Sequence, residues 1–129
     1  MVKLILVTHG NMAKALLHTA AKIYPFDKKS VDVFSVSGRV DLQRVAARIK
    51  KKVSPEGTLI MVDVFGGTAC NISAGVTHGM KNVNVLCGFN LNMLLAALGN
   101  RDKLSAEELA AKVLESGSKS IFNVTEKLK

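Results

Sequence analysis

Three polar segments of this sequence carry side chains suited to chemistry, and each directly follows an apolar run. They are Thr8-His9-Gly10, Asp63-Val64-Phe65-Gly66-Gly67-Thr68 and Gly88-Phe89-Asn90-Leu91-Asn92. An imidazole such as that of His9 can act as a base, as a metal ligand or as a phosphoryl acceptor. The groups that the fold brings around His9 decide which of these reactions is open to it.

Each of these groups can take part in a phosphoryl transfer. A neutral imidazole is nucleophilic at one nitrogen, and a hydrogen bond from its other nitrogen to Asp63 or to a loop carbonyl fixes which one. The glycine pair permits a tight turn that exposes backbone amides, and a helix starting near Thr68 adds its positive end. The candidate catalytic residues are therefore His9 and Asp63, and the candidate phosphate-binding residues are Gly10, Gly66, Gly67 and Thr68. His18 and His78 are interpreted as structural or surface residues.

Alternating strands and helices are predicted to position these segments. Short apolar runs, rich in β-branched residues, indicate strands at 2–7, 31–36, 58–62 and 83–88. Helical periods follow at 11–23, after Asp41, at 69–79 and at 91–98. Ser105 and Glu108 have the spacing of a capping box that starts a last helix.

This alternation predicts an α/β fold: a mainly parallel sheet of four strands with helices on both faces, as one domain over residues 1–129. The carboxyl ends of parallel strands meet at one edge, where such sheets bind ligands, so the three polar segments converge there. The tail Ser120-Ile121-Phe122-Asn123-Val124-Thr125 has the composition of a fifth strand. We expect it to pair at a sheet edge, within the chain or with a second subunit.

Composition and charge narrow the classes of protein. The net charge is +8, and the basic residues after Asp41 recur at helical spacing, which is typical of a solvated face or of a surface that docks an acidic protein. No nucleic-acid binding is expected, because no aromatic residues are interleaved with them. The apolar runs are shorter than the roughly 20 residues of a membrane-spanning helix, and a strand stands where a signal peptide would be. We therefore expect no membrane insertion and a cytoplasmic location, in which Cys70 and Cys87 are free, buried thiols.

Taken together, these residues resemble the enzyme IIA domains of the mannose family of the bacterial phosphoenolpyruvate-dependent phosphotransferase system. The resemblance spans essentially the whole chain. It rests on Leu4-Ile5-Leu6-Val7-Thr8-His9-Gly10, on Val62-Asp63-Val64-Phe65-Gly66-Gly67-Thr68-Ala69-Cys70-Asn71, and on Gly88-Phe89-Asn90-Leu91-Asn92-Met93-Leu94.

The resemblance implies a phosphotransferase in which His9 accepts phosphate from the phosphocarrier protein HPr and passes it to a IIB component, in sugar uptake or its regulation. It implies that Asp63 orients His9, and that Gly66, Gly67 and Thr68 form the phosphate-binding loop, with Asn71 one helical turn on. It implies no cofactor and no metal ion. It also implies a homodimer in which the C-terminal segment supplies an edge strand to the partner.

Two positions depart from the family's pattern. Ala69-Cys70 stands where the family has a proline and an aromatic residue, and Asn92 stands where it has a proline. Neither departure removes a chemical group that the reaction needs. We therefore expect them to affect the docking of partner proteins rather than the phosphorylation of His9.

Two alternatives stay open at this point. A phosphorylation-dependent regulatory module without a transport role uses the same site residues. A small metal-tetrapyrrole chelatase also has a strand-end His-Gly, but it needs a second metal ligand opposite, whereas the Gly66-Gly67-Thr68 loop is suited to an anion. A response-regulator receiver needs an acidic pair after the first strand. A histidine phosphatase needs an arginine where Thr8 stands. The sequence therefore disfavours both the receiver and the phosphatase.

Overall fold

The structure, a computed structural model, describes residues 1–129 and alternates strands with helices along the chain. The strands are β1 (Lys3–Thr8), β2 (Val31–Ser35), β3 (Thr58–Val62) and β4 (Val83–Leu86). The helices are α1 (Met12–Ile23), α2 (Leu42–Lys52), α3 (Thr68–Thr77), α4 (Leu91–Asn100), α5 (Ala106–Lys119) and α6 (Val124–Lys127). A 3₁₀ turn at Lys28–Ser30 precedes β2. No helix has both the length and the apolar character needed to cross a membrane.

The four strands form one parallel sheet in the order β2-β1-β3-β4, which confirms the predicted fold class. Strand β1 is central, and its Val7 lies opposite Phe34 on one side and opposite Val62 on the other. The segments after β1 and β3 therefore leave the sheet side by side. The pairing of β1 with β3 in this register places the polar segment after β1 next to the one after β3.

The two central strands are buried on both faces, because their alternate side chains enter two separate cores. One core contains side chains of α1, α4 and α5 packed on Leu4, Leu6, Leu59 and Met61. The other contains side chains of α2 and α3 packed on Ile5, Val7, Ile60 and Val62. Each of these strand side chains is 0% exposed, and burial of such a side chain stabilises the fold by about 1.5–3 kcal/mol. Helices thus cover both faces, as predicted.

Short polar side chains fix where the helices begin. The side chain of Asp41 accepts hydrogen bonds from the backbone N–H groups of Gln43 (3.1 Å) and Arg44 (3.3 Å) at the start of α2. At α5, Ser105 Oγ accepts from the N–H of Glu108, and the Glu108 carboxylate accepts from the N–H of Ser105. The predicted capping box is therefore confirmed, and it satisfies amides that a helix leaves without internal partners.

The C-terminal tail corrects one prediction, since it forms no fifth strand within the chain. After α5 ends at Lys119, the tail makes a short turn and then the helix α6. The Asn123 side chain caps this helix by accepting from the N–H of Glu126 at 3.4 Å. Strand propensity depends on a partner strand to pair with, and in one chain the local cap prevails. Exchange of the tail with a second subunit remains a prediction.

The two cysteines are free, as expected, but neither is fully buried. Cys70 is half-buried on α3, and Cys87 is exposed. Cys87 was predicted to be buried, in a strand expected to continue to residue 88. In the structure β4 ends at Leu86, directly before Cys87, and β4 lies at the edge of the sheet.

Candidate functional site

The first residue after β1 is His9, and the first residue after the neighbouring strand β3 is Asp63. The Oδ2 atom of Asp63 accepts a hydrogen bond from the backbone N–H of His9 at 2.8 Å and lies 2.9 Å from its ring Nδ1. The other carboxylate oxygen, Oδ1, accepts from the N–H of Val64 at 3.0 Å. The carboxylate is 8% exposed, whereas the imidazole is 45% exposed. A buried anion therefore holds a ring that solvent and partners can reach.

This contact selects one tautomer of the neutral imidazole. An ionised carboxylate has only acceptors, so Nδ1 carries the proton and Nε2 keeps its lone pair. Burial alone raises the pKa of Asp63, but the hydrogen bonds and charge of His9 and the amide of Val64 outweigh it, and the pKa lies below its ordinary value of 3.8. Asp63 is thus ionised at neutral pH, as this role requires.

Hydrogen bonds from two directions hold the turn that carries His9. The hydroxyl of Thr8, which is fully buried, accepts from the N–H of Ala13 at 3.0 Å and so caps α1 in place of Asn11, which forms no side-chain cap. Gly10 has φ +55°, a conformation that favours glycine, and its N–H donates to Ser37 Oγ in the loop after β2. Sequence reasoning identified neither contact. A hydroxyl side chain next to a helix start is a sequence signal for the contact of Thr8 with Ala13. Nothing in the sequence around Ser37 indicates its contact with Gly10.

The glycine pair brings the start of α3 against the imidazole. Gly67 is the residue that precedes α3, and a Cβ atom there would lie 3.2 Å from His9 Cε1 and 3.4 Å from the Val64 carbonyl oxygen. The preceding residue, Gly66, has φ +78°, and its carbonyl accepts from Asn71 Nδ2 at 3.3 Å, which ties the loop to the helix.

The first amides of α3, beginning at Thr68, have no acceptor within the chain. Such free amides, together with the positive end of the helix, are suited to binding an anion. Thr68 is half-buried at this helix start. The structure thus places Gly67 against the His9 ring, and it places the unpaired amides directly after Gly67.

The third polar segment supports the site through its backbone. The N–H of Gly88 donates to the carbonyl of Asp63 at 3.1 Å, and the N–H of Phe89 donates to that of Val62 at 3.0 Å. The Asn90 side chain is occupied in capping α4. Asn92 is exposed and lines a surface groove against α5 rather than the site. This segment therefore holds the backbone of Asp63, which sequence reasoning did not predict.

The surface around the imidazole is open and partly apolar. Val64 and Phe65 are 56% and 82% exposed, and the four cavities of the molecule are lined by other residues. His18 is exposed in the middle of α1, and His78 is exposed at the end of α3 remote from His9. No group of three or more His, Cys, Asp and Glu side chains is placed to hold a metal ion.

The class of this parallel α/β protein follows from its similarity to known proteins. Residues 3–114 match the EIIA-man family, described as PTS system fructose IIA component, and the chain belongs to this family. The sorbose-specific EIIA component of the PTS system of Lacticaseibacillus casei is 27% identical over 129 residues, which cover 98% of this chain and 93% of that protein. A solved structure of the phosphotransferase system component EIIA from Streptococcus agalactiae has a TM-score of 0.89 at 26% identity and covers 98% of this chain and 99% of its own.

A longer relative also matches. The mannose-specific EIIAB component of Escherichia coli K12 is 27% identical over 124 residues, and the chain covers 38% of the length of that protein. The family predicted from the motifs around His9, Asp63 and Gly88 is thus confirmed.

Proposed function

We propose that His9 carries a phosphoryl group, which Nε2 accepts from the phosphohistidine of HPr and passes to a IIB component in sugar uptake. The observation that supports this most directly is the double contact of Asp63 Oδ2 with the backbone N–H and the ring Nδ1 of His9. It fixes the backbone of His9 and one nitrogen of its ring, and it leaves Nε2 as the nucleophilic nitrogen.

The transfer is a displacement at phosphorus. The lone pair of Nε2 attacks, the bond between phosphorus and the donor nitrogen breaks, and the electron pair of that bond returns to the donor imidazole. Nδ1 keeps its proton, so the phosphorylated ring gains positive character, which the Asp63 carboxylate stabilises. Transfer to the IIB component repeats the step in the other direction, and positioning and charge stabilisation provide most of the catalysis.

The glycine loop holds the phosphoryl oxygens. The amides at the start of α3 and the hydroxyl of Thr68 donate to them, and the backbone of Gly66 and Gly67 shapes the turn. The N–H of Gly10, which was predicted to bind phosphate, donates to Ser37 Oγ and so helps to hold the turn that carries His9. The helix dipole is equivalent to a partial charge of about +0.5 at the helix N-terminus. Since Gly67 has no Cβ, the ring lies against this positive end, and a phosphoryl group on Nε2 can reach it.

We further propose that the chain is a homodimer and that its C-terminal tail pairs with the partner. Ile121, Phe122, Val124 and Leu128 are 51–80% exposed in the single chain. The outer edge of β4 also has no neighbouring strand. Exposed apolar side chains beside an unpaired strand edge favour pairing with a second copy.

The experiment is phosphorylation in vitro with phosphoenolpyruvate, enzyme I and HPr, followed by measurement of the intact mass. We expect the native chain to gain one acid-labile phosphoryl group, and His9→Ala to gain none. His18→Ala and His78→Ala are the matched controls and should be phosphorylated like the native chain. No gain in the native chain, or a gain that persists in His9→Ala, would refute the proposal. Adding the IIB component then separates transport, in which the label is discharged, from a purely regulatory role, in which it stays.

A further inference from the structure

Helix α2 presents only one sign of charge to solvent. It contains no acidic residue, and its basic residues, all exposed, are Arg44, Arg48, Lys50, Lys51 and Lys52. Helix α3, which packs beside α2 on the same face of the sheet, has no charged residue at all. By contrast, α5 on the other face mixes lysines with glutamates, and its Lys119 pairs with Glu115 at 2.9 Å. The face formed by α2 and α3 is therefore positively charged.

The cations of α2 are spaced so that they repel one another. Arg44, Arg48 and Lys52 recur at intervals of four residues, which makes them neighbours along one ridge of the helix, and like charges at this spacing destabilise a helix. Other contacts stabilise single positions. Asp41 caps the start of α2, the helix dipole favours the lysines of the last turn, and Arg48 lies 5.4 Å from the ring centre of Phe34. None of these contacts places a carboxylate between the cations.

The carboxylates near the end of α2 leave this surplus of positive charge in place. Asp32 on β2 lies 3.8 Å from the Nζ atom of Lys52, but it is 2.5 Å from that of Lys3. Glu56, in the turn after α2, is exposed and forms no ion pair. The ridge thus accounts for much of the net charge of +8.

A cavity of about 540 Å³ opens where α2 and α3 end. Its apolar wall is formed by Val53, Met80 and Val83, which are half-buried, and its charged side chains are Lys50 and Lys81. Both lysines are exposed and unpaired, and no acidic side chain lines the cavity. Apolar walls with a few convergent polar groups are typical of a ligand site. This combination suits an anion that also has an apolar part.

We propose that α2 and the cavity at its end bind the surface of an anionic phospholipid bilayer. The phosphate of one lipid lies between Lys50 and Lys81, and the carbons next to its headgroup pack on Val53 and Met80. Clusters of Lys and Arg on an amphipathic helix are typical of proteins that bind acidic lipids. An acidic protein would match the charge of the ridge alone, whereas an acidic phospholipid matches both the ridge and the apolar cavity.

A nucleic acid fits this face less well than a lipid surface. Single-stranded nucleic acids are held by aromatic side chains on which their bases stack. The aromatic side chain against the ridge is Phe34, which is 6% exposed beneath Arg48 and has no free face for a base.

The proposed lipid-binding face is distinct from the edge that carries His9. Helix α2 lies along one face of the sheet, into which it packs Val45 and Ile49, whereas His9 follows the carboxyl end of β1. A chain that rests on a bilayer through α2 therefore keeps its imidazole open to other proteins. The binding of lipid does not depend on the phosphorylation of His9, so the two proposals can fail separately.

The test is co-sedimentation of the unphosphorylated chain with lipid vesicles. The native chain should bind vesicles made from equal parts of phosphatidylcholine and phosphatidylglycerol, should release as salt increases, and should not bind phosphatidylcholine alone. Lys50→Glu/Lys51→Glu should lower the partition coefficient about 30-fold or more, because each cation near an anionic surface contributes to binding. This variant keeps the contact of Arg48 with Phe34, and circular dichroism checks its fold.

Lys14→Glu/Lys22→Glu is the matched control for net charge. It makes the same change with two exposed, unpaired lysines of α1, which packs on the other face of the sheet. It should bind the anionic vesicles nearly as tightly as the native chain. Equal loss in this control, absence of binding by the native chain, or equal binding to phosphatidylcholine alone would overturn the proposal. So would an oligonucleotide that binds the native chain more tightly than the vesicles do and is lost in Lys50→Glu/Lys51→Glu, since it would assign the ridge to nucleic acid.

Methyl NMR tests the cavity itself. With dihexanoyl phosphatidylglycerol below its micelle concentration, the methyl resonance of Met80 should shift, and with dihexanoyl phosphatidylcholine it should not. The methyl of Met12, at the start of α1, is the internal control and should not shift with either lipid. A Met80 resonance that does not move, or a Met12 resonance that moves as far, would show that the cavity does not hold the anionic headgroup.

Discussion

One oxygen of Asp63, Oδ2, holds His9 twice, at 2.8 Å from its backbone N–H and at 2.9 Å from its ring Nδ1. The two contacts are possible because β1 and β3 are neighbours and end one residue before His9 and Asp63. The backbone contact sets the position of the side chain, and the ring contact sets its rotation and its tautomer. A single carboxylate thus determines which imidazole nitrogen carries the proton and which keeps its lone pair.

The first prediction concerns the charge of Asp63. Asp63→Asn keeps the size of the side chain but replaces the anion with an amide, so the ring loses its negatively charged partner. A hydrogen bond to a charged group contributes about 1.5–3 kcal/mol, and transfer from phospho-HPr should therefore slow about 10- to 100-fold. Rapid-quench kinetics give the rate, and circular dichroism shows whether the fold is kept. An unchanged rate would contradict the orienting role of Asp63.

The second prediction concerns stability in acid. The pKa of Asp63 lies below 3.8 in the folded chain because the hydrogen bonds and charge of His9 outweigh the effect of burial, which raises it. As the pH falls through the ordinary value, the unfolded chain takes up the proton first, so this stabilisation is lost between 3.8 and the lower folded value.

Thermal unfolding of the native chain and of Asp63→Asn over a pH series measures this directly. Groups that do not interact with Asp63 cancel in the difference between their Tm values. We expect the native chain to be more stable at neutral pH, and the difference to shrink as the pH falls through and below 3.8. A difference that stays constant, or that grows in acid, would contradict the depressed pKa.

The third prediction concerns the contact of Gly67 with the imidazole. In Gly67→Ala the new Cβ lies 3.2 Å from His9 Cε1, so the ring or the loop must shift by a few tenths of an ångström. Small misplacements of a reacting group are costly, and we expect transfer to slow about tenfold. Gly75→Ala, in the same helix with no atom near the new Cβ, is the control. It should transfer normally and gain about 0.5–1 kcal/mol of stability. Equal rates for both variants would show that Gly67 is not needed for the approach of the ring.

The fourth prediction concerns the apolar tail. If the tail pairs with a second copy, light scattering after size exclusion should show that the native protein is a dimer of 13.8 kDa chains. The variant Ile121→Asp/Leu128→Asp should be a monomer that keeps the fold. Ile23→Asp is the control, because Ile23 is 59% exposed at the end of α1, away from the tail. It should remain dimeric. A monomeric native chain would disprove the exchange.

The sequence is sufficient to predict the sheet and the convergence of the segments that carry His9 and Asp63 at one edge of it. Both follow from apolar runs with polar ends, because parallel strands place their carboxyl ends at one edge. The choice between Asp63 and a loop carbonyl as partner of the imidazole was not predictable. It depends on β3 lying next to β1, and only the pairing of Val7 with Val62 reveals this.

The remaining differences between prediction and structure have a common cause. The composition of a segment does not show which distant residues it contacts in the fold. Ser37 lies in a polar loop like many others, and its bond to Gly10 exists because β2 flanks β1 on the other side. The tail around Val124 has strand propensity, but it pairs with no strand of its own chain, and Asn123 caps it as a short helix. Cys87 is exposed because β4 is an edge strand.

The most direct test of the proposed mechanism is to determine which nitrogen of His9 bears the phosphoryl group. NMR of the chain labelled with ¹⁵N at histidine reports the proton on each ring nitrogen before phosphorylation and the coupling to ³¹P afterwards. We expect a proton on Nδ1 in both states and phosphorus bonded to Nε2 of His9. Phosphorus on Nδ1, or on His18 or His78, would contradict it.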